Sequence, residues 1–229
     1  MNNEKSIRKD WDLIESLIDD NSKILDVGCG EGNLNKLLEK NKNSDTRGIE
    51  LNNNLVRNAI TQGLSVVQGN AEKDLKQYRD QSFDYVILSQ TLQAMYNPKE
   101  VLFELLRIGG KAIVSFPNFG HWTIRLQLLL KGKMPVTKKL PYAWYDTPNI
   151  HFFSLKDFQE MCQEEKINIE KSIGLTSEGK QIEITNNSFF PNLIINEAIF
   201  LLSKKKYEPI KIASKRKSFS NSTIVASQR

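Results

Sequence analysis

Residues 24–33, I-L-D-V-G-C-G-E-G-N, decide the fold. An apolar run, Ile24 to Val27, is broken by Asp26 and gives way to glycines at 28, 30 and 32, after which Leu34, Leu37 and Leu38 recur at helical spacing. Strand, glycine turn and helix in that order describe a nucleotide pocket. Residues without a Cβ let the chain take positive φ and let a ligand lie against bare backbone, and the helix start offers free N–H groups. Asp26 changes which ligand fits. In the dinucleotide fingerprint, G-x-G-x-x-G, the helix N-terminus faces a pyrophosphate. A carboxylate at the strand end repels phosphate and accepts a hydrogen bond from a cationic or amino-bearing group instead. A Gly-rich turn in an ordinary α/β domain is the competing reading, and the residues downstream argue against it.

The chain on either side alternates strand and helix. Trp11, Ile14, Leu17 and Ile18 predict a first helix ending at Asp19–Ser22. Lys23 to Val27 make the first strand, and a helix near Gly32 to Lys40 follows. Strands are expected at Thr46–Leu51, Ser65–Gln68, Phe83–Leu88 and Lys111–Phe116, with helices capped at Asn52 and begun by Asn97-Pro98 between them. That alternation predicts a parallel sheet covered on both faces, with its ligand beyond the carboxyl ends of the strands. After Asn118 the rhythm breaks: a Leu-rich helix, a Lys- and Pro-containing loop and an aromatic stretch read as a lid at about 119–153. A helix from Ser154 to Glu165 and two strand-like runs, Ile167–Leu175 and Leu193–Leu202, predict a closing antiparallel hairpin. The expected whole is one α/β domain over 1–203 with a doubly wound, mostly parallel seven-stranded sheet.

Composition narrows the partners. Eight of the 32 Lys and Arg, but one of the 27 Asp and Glu, lie from Lys204 onward, leaving the preceding residues slightly acidic at 24 basic against 26 acidic groups. Nucleic acid is therefore a poor expectation for the body. Residues 204–229 read as a basic, mobile tail, solvated or able to bind RNA or a membrane surface. Apolar runs such as Ala198–Leu202 fall far short of the ~20 residues that span a bilayer. The polar start, M-N-N-E-K-S-I-R-K-D, lacks a secretory apolar stretch, so the cytoplasm is the default expectation. Cys29 and Cys162 are isolated, which predicts neither a disulfide framework nor a metal site. Cys29 reads as a small packing residue beside the glycines, with a catalytic thiol as the alternative.

The remaining strand ends complete a candidate pocket. The second strand ends at Glu50 and Leu51, some twenty residues beyond the glycine loop, where two carboxylate oxygens can accept both ribose hydroxyls. The third ends in Q-G-N-A-E-K-D, presenting Asn70 and Ala71; the fourth ends in L-S-Q-T, presenting Ser89 and Gln90. This set, Asp26, Gly28, Cys29, Gly30, Glu50, Leu51, Asn70, Ala71, Ser89 and Gln90, resembles the cofactor site of class I S-adenosylmethionine methyltransferases. The resemblance implies that fold, and S-adenosylmethionine or S-adenosylhomocysteine as ligand. One position departs: methyltransferases usually place an acidic residue where Asn70 stands, although an amide oxygen can also accept a hydrogen bond from an adenine amino group. The N/D-P-P-Y motif of enzymes that methylate nucleobase amines or glutamine is missing after the fourth strand.

Three longer runs are more specific: F-D-Y-V-I-L-S-Q-T-L-Q-A-M at 83–95, S-F-P-N-F-G-H-W at 115–122 and M-P-V-T-K-K-L-P-Y-A-W-Y-D-T-P-N-I-H at 134–151. They are similar to the MetW family of methionine biosynthesis proteins, over roughly Ser22 to Glu170. The resemblance implies an accessory or regulatory role beside a homoserine O-acyltransferase of the MetX type, with the ligand acting as a signal. Methyl transfer to a small carboxylate or hydroxyl compound is the alternative, since an activated sulfonium asks little of the protein beyond alignment. His121 and His151 either take a proton from such a substrate or orient loops by hydrogen bonding. Trp122, Tyr142, Trp144 and Tyr145 either wall a small-molecule cavity or anchor a partner protein. Arg125 and the lysines of 133–139 either hold a substrate carboxylate or form a solvated face.

Overall fold

The computed structural model describes residues 8–137, 140–185 and 189–204. At its centre β1 (Lys23–Val27) lies between β2 (Asp45–Glu50) and β4 (Phe83–Ser89), parallel to both. With both edges paired and both faces covered, Ile24, Leu25 and Val27 are fully buried. A strand buried on both sides reads as a nearly unbroken apolar run, which is why this one is legible. β3 (Val66–Gln68) extends the sheet beyond β2, and β5 (Gly109–Pro117) lies parallel beyond β4. The chain then reverses direction. β8 (Glu197–Lys204) pairs antiparallel with β5, β6 (Ile167–Leu175) with β8, and β7 (Gln181–Glu183) with β6. The order across the sheet is β3-β2-β1-β4-β5-β8-β6-β7.

Side-chain alternation divides the core between the two faces. Leu25, Val27, Val86 and Leu88 face α5 (Pro98–Ile108) and α7 (Leu155–Glu164), while Ile24, Tyr85 and Ile87 face α1 (Lys9–Ser16) and α2 (Asn33–Lys42). Phe116 and Phe200, both fully buried, stack at 5.6 Å between ring centres on the α7 side, where Phe158 tilts against them. Local chemistry sets the helix starts. Asn52 accepts from Asn54 N–H at 2.9 Å ahead of α3 (Asn53–Thr61), Pro98 opens α5, and Ser154 with Asp157 forms a capping box on α7.

Two expectations need correction. The sheet has eight strands, because β7 adds a short eighth at the far edge. The run Leu193–Leu202 is not one strand: α8 (Phe189–Ile194) occupies its beginning, and β8 starts only at Glu197. Pro191 suits the first turn of a helix, where its missing N–H has no intrahelical partner. The simple hairpin is therefore β6 and β8 paired across an intervening β7 and α8. The basic tail, residues 205–229, lies outside the described residues. No helix among those described is long and apolar enough to cross a membrane.

The segment after β5 begins and ends at one point, where Phe119 N–H donates to the Phe153 carbonyl at 3.2 Å. Buried Asn118 fixes its base: the amide donates to the Asn192 and Ile195 carbonyls, and the oxygen accepts from Gly120 and Leu155 N–H. Within it lie α6 (Trp122–Lys131) and an irregular strap over 140–152.

Candidate cofactor site

The loop after β1 is held from beneath. Gly28 and Cys29 N–H groups donate to the Ile49 carbonyl at 2.8 and 3.3 Å, and Gly30 N–H donates to Glu50 Oε2 at 3.0 Å. Gly28 takes φ +73°, a conformation that favours glycine, and a Cβ there would crowd Thr91 Oγ1 at 3.0 Å. Glu50 Oε1 accepts from Asn52 N–H at 2.8 Å. One carboxylate thus ties the ends of β1 and β2 together and stays half-exposed at the mouth of a cleft of about 270 Å³. Gly28, Ile49, Glu50, Leu51, Gly69, Asn70, Ala71 and Glu72 form one wall; Thr91 and the run Ala94–Tyr96 form the other.

The expected residues fall into three groups. Gly28, Glu50, Leu51, Asn70 and Ala71 line the cleft, with Gly30 bonded to Glu50. Asn70 also starts the short helix α4 (Ala71–Asp74), its side-chain oxygen accepting from Glu72 N–H at 3.0 Å, which leaves one further lone pair on that oxygen. Asp26 is buried, and burial pushes its carboxyl up to about 7, with Arg8 pulling it down and Glu50 pushing it up. Cys29 packs sideways: a Cβ on Gly48 would strike its sulfur at 2.5 Å, and its side chain lies against the Val56, Ala59, Leu64 and Val66 cluster. Burial, then the charges of Asp26 and Glu50, push its thiol far above the ordinary range, which leaves no thiolate nucleophile there.

Ser89 and Gln90 belong to a polar tier beside the cleft. Arg8 donates to Ser89 Oγ at 3.1 Å and through Nε to buried Asp10 at 3.0 Å, with a second bond from its terminal nitrogen to the same carboxylate. Ser89 Oγ lies 3.2 Å from Ser115 Oγ. Gln90 sits at φ +54°, unusual for a residue with a side chain, held by its N–H to the Ser115 carbonyl at 2.9 Å. Its amide donates to Glu197 and Ser115, and the residue is not among those lining the cleft. The sequence does not mark Arg8 and Asp10 as candidates for this tier. Their signal is a charged R-K-D cluster ahead of the first apolar helix, which reads equally well as a solvated terminus. Nor does it mark Thr91, Met95 and Tyr96 for the cleft, because a 3-10 turn at Leu92–Ala94 folds them against the glycine loop.

The histidines stand elsewhere. His121 is buried and caps α6: Nδ1 accepts from Thr123 N–H at 3.3 Å and lies 2.8 Å from Thr123 Oγ1. Burial holds its pKa below the ordinary value, against the opposing Ile194 backbone hydrogen bond and the charge of Glu178. His151 Nε2 lies 3.4 Å from the Tyr96 carbonyl, in a separate cavity of about 260 Å³ against α5 and α7. Neither lines the glycine cleft. Among the described residues no group of three or more His, Cys, Asp or Glu side chains is placed to hold a metal ion.

Known proteins share sequence or fold with this chain. The chain is 29% identical over 211 residues to the bifunctional methionine biosynthesis protein MetXA/MetW of Rhodopirellula baltica, covering 87% of this chain and 33% of that one. It is 27% identical over 143 residues to an uncharacterised protein of Methanocaldococcus jannaschii, covering 61% and 62%. The chain thus spans a third of the first relative and somewhat under two thirds of the second. A SAM-dependent methyltransferase of Thermotoga maritima, described as a possible histamine N-methyltransferase, superposes with TM-score 0.63 at 18% identity over 86% of this chain and 88% of that one. The [4+2]-cyclase SpnF superposes with TM-score 0.59 at 15% identity over 85% and 80%. These likenesses establish a class I methyltransferase-like fold, and the cyclase shows that the fold does not fix the reaction. The family profile of methionine biosynthesis protein MetW matches residues 8–202, and the chain belongs to that family.

Proposed function

We propose that this chain binds S-adenosylmethionine or S-adenosylhomocysteine in the glycine cleft and acts as an accessory or regulatory partner of a MetX-type homoserine O-acyltransferase. The observation that carries the ligand is a pair of carboxylates about a bare glycine loop: Glu50, which lines the cleft and accepts from Gly30 N–H, and Asp26, buried near the end of β1 two residues before Gly28. Two carboxylates repel a phosphate and suit a ligand with a ribose diol at one end and an ammonium at the other. Glu50 would hold the diol, Asn70 and Ala71 the adenine edge, and Asp26 the ammonium. The Arg8 guanidinium, bonded to Asp10 and Ser89 at the end of β4, would suit the ligand's carboxylate. S-adenosylmethionine, when bound, would supply an activated methyl group, which S-adenosylhomocysteine lacks; the chain would supply position.

The partner half of the reading rests on the relative that carries MetXA and MetW in one polypeptide, an arrangement that keeps two activities at high effective concentration. Acyl transfer to homoserine by the cognate acyltransferase, measured with and without this chain while S-adenosylmethionine is titrated, tests it. The rate should change with ligand, and the response should disappear with Glu50→Ala. Absence of association at micromolar concentrations would defeat it.

One observation favours the second reading, a methyltransferase acting on a small carboxylate or hydroxyl compound. A cavity of about 300 Å³ lies between α6 and the strap, walled by Phe119, Leu128, Tyr142 and Trp144, with Arg125 among its lining. S-adenosylhomocysteine formation from a metabolite pool, lost on Arg125→Gln, would favour this reading over the first.

A further inference from the structure

α6 is apolar on two sides. Ile124 and Leu128 line the inner cavity, while Trp122, Leu126, Leu129 and Leu130, spaced i, i+4, i+7 and i+8, form an outward stripe. A helix apolar all round is ordinarily buried. Here Leu129 is 81% exposed and Leu130 72%. The strap continues the exposure with Tyr142, Trp144 at 75% and Tyr145. Of the eighteen large apolar side chains exposed among the described residues, twelve fall within 122–152. Singly exposed apolar residues are commonplace; this concentration in one short insertion marks an interaction surface. The insertion is also tethered in shape, since the Gln93 carbonyl accepts from both Ile150 and His151 N–H at 2.8 and 3.0 Å. Trp and Tyr on a preorganised face are the residue types that carry binding energy in protein interfaces.

Charge selects the occupant. The insertion carries Arg125, Lys131, Lys133, Lys138 and Lys139 against a single acid, Asp146. A second copy would bring the same excess of positive charge. Residues 205–229, themselves basic, would do the same. Like charges across an interface are costly, whereas opposite charges steer association. We propose that α6 and the 140–152 strap form the docking face for a partner protein whose complementary surface is apolar at its centre and acidic at its rim. Resting on the reading above, that partner is the MetX-type acyltransferase.

Calorimetric titration of the full chain into the cognate homoserine O-acyltransferase tests this, with Leu129→Asp, Trp144→Ala and, as a control on α3, Ile60→Asp. The wild type and Ile60→Asp should bind alike, and the two face variants should each lose about tenfold or more, as truncation of an anchor residue does. Unchanged melting temperatures establish that all remain folded. A Lys131→Glu, Lys133→Glu double variant should bind more weakly, with a shallower salt dependence. Equal affinity for wild type and face variants would overturn the docking face while leaving the acyltransferase reading intact. No binding by the wild type at about 100 μM would overturn that reading and the occupant together. A wild-type dimer that Leu129→Asp dissociates would make a second copy the occupant. Lysine cross-links from the tail to Lys131 or Lys133 that disappear with Trp144→Ala would make it the tail. Either result contradicts the proposal.

Discussion

The cleft at the ends of β1, β2 and β3 and the 119–153 insertion solve opposite problems with neighbouring pieces of chain. In the cleft and the tier beside it, polar groups are wholly or partly buried and tied to one another: Glu50 to Gly30 and Asn52, Asp10 to Arg8, Gln90 to Glu197. In the insertion, apolar groups are exposed on a backbone that is nevertheless pinned at Asn118, Phe153 and Gln93. A buried polar network sets orientation for a small ligand, because unpaired groups there are costly. An exposed apolar face has value only when something covers it. The two meet in the Leu92–Tyr96 turn: Ala94, Met95 and Tyr96 line the cleft, while Gln93 and Tyr96 offer their carbonyls to the strap.

The contrast can be broken at its extremes. Leu88→Ala, in the core beneath both regions, should cost about 2–5 kcal/mol in chemical unfolding, since the cavity cannot collapse between paired strands. Glu50→Ala should weaken S-adenosylmethionine binding by about 2–3 kcal/mol, the worth of hydrogen bonds to a charged acceptor, and, because the same carboxylate accepts from Gly30 and Asn52 N–H, should lower the melting temperature while leaving the chain folded. A loss of the fold instead would make Glu50 a structural strut and not a ligand group.

The pH dependence sharpens the same contrast. Asp26 has a folded-state pKa of about 7, raised from 3.8. A raised acid favours the folded state fully only below the unfolded value; that contribution is lost as pH rises from about 4 to 7 and is constant above. The proposed ligand should bind with the opposite dependence, because its ammonium would need the ionised carboxylate. Affinity at pH 6 should be about tenfold below that at pH 7.5, following the fraction of ionised Asp26, and should fall again above about 8 as the ligand's α-amino group loses its proton. Asp26→Asn should flatten the acidic limb. Titration of the cleft mutants against pH distinguishes this from a general acid effect. The smallest effect belongs to the insertion: Leu129→Gln should move stability by no more than about 0.5 kcal/mol, as for other surface positions.

The contrast also explains what was legible beforehand. β1, the glycine loop and Glu50 could be read because the pattern is local: an apolar strand, residues without Cβ, and a carboxylate at the next parallel strand end. Arg8 could not, since it reaches Ser89 across 81 positions of sequence. Gln90 was expected to face the ligand, yet its amide meets Glu197, 107 positions away, on a strand whose register depends on where α8 ends. The histidines looked suitable by residue type alone. His121 proves to be a helix cap, a role that Thr123 two residues later signals weakly. The aromatic insertion was visible as composition, but which side of α6 faces outward depended on how the strap folds over Ile124 and Leu128.

The most direct measurement is calorimetric titration of S-adenosylmethionine into the full chain at pH 7.5, alongside Glu50→Ala. Saturable one-to-one binding that the substitution weakens by about thirtyfold or more, the equivalent of about 2 kcal/mol, is the expected result. No heat of binding up to millimolar ligand, or equal affinity in the two proteins, would contradict the claim that the glycine cleft is the ligand site.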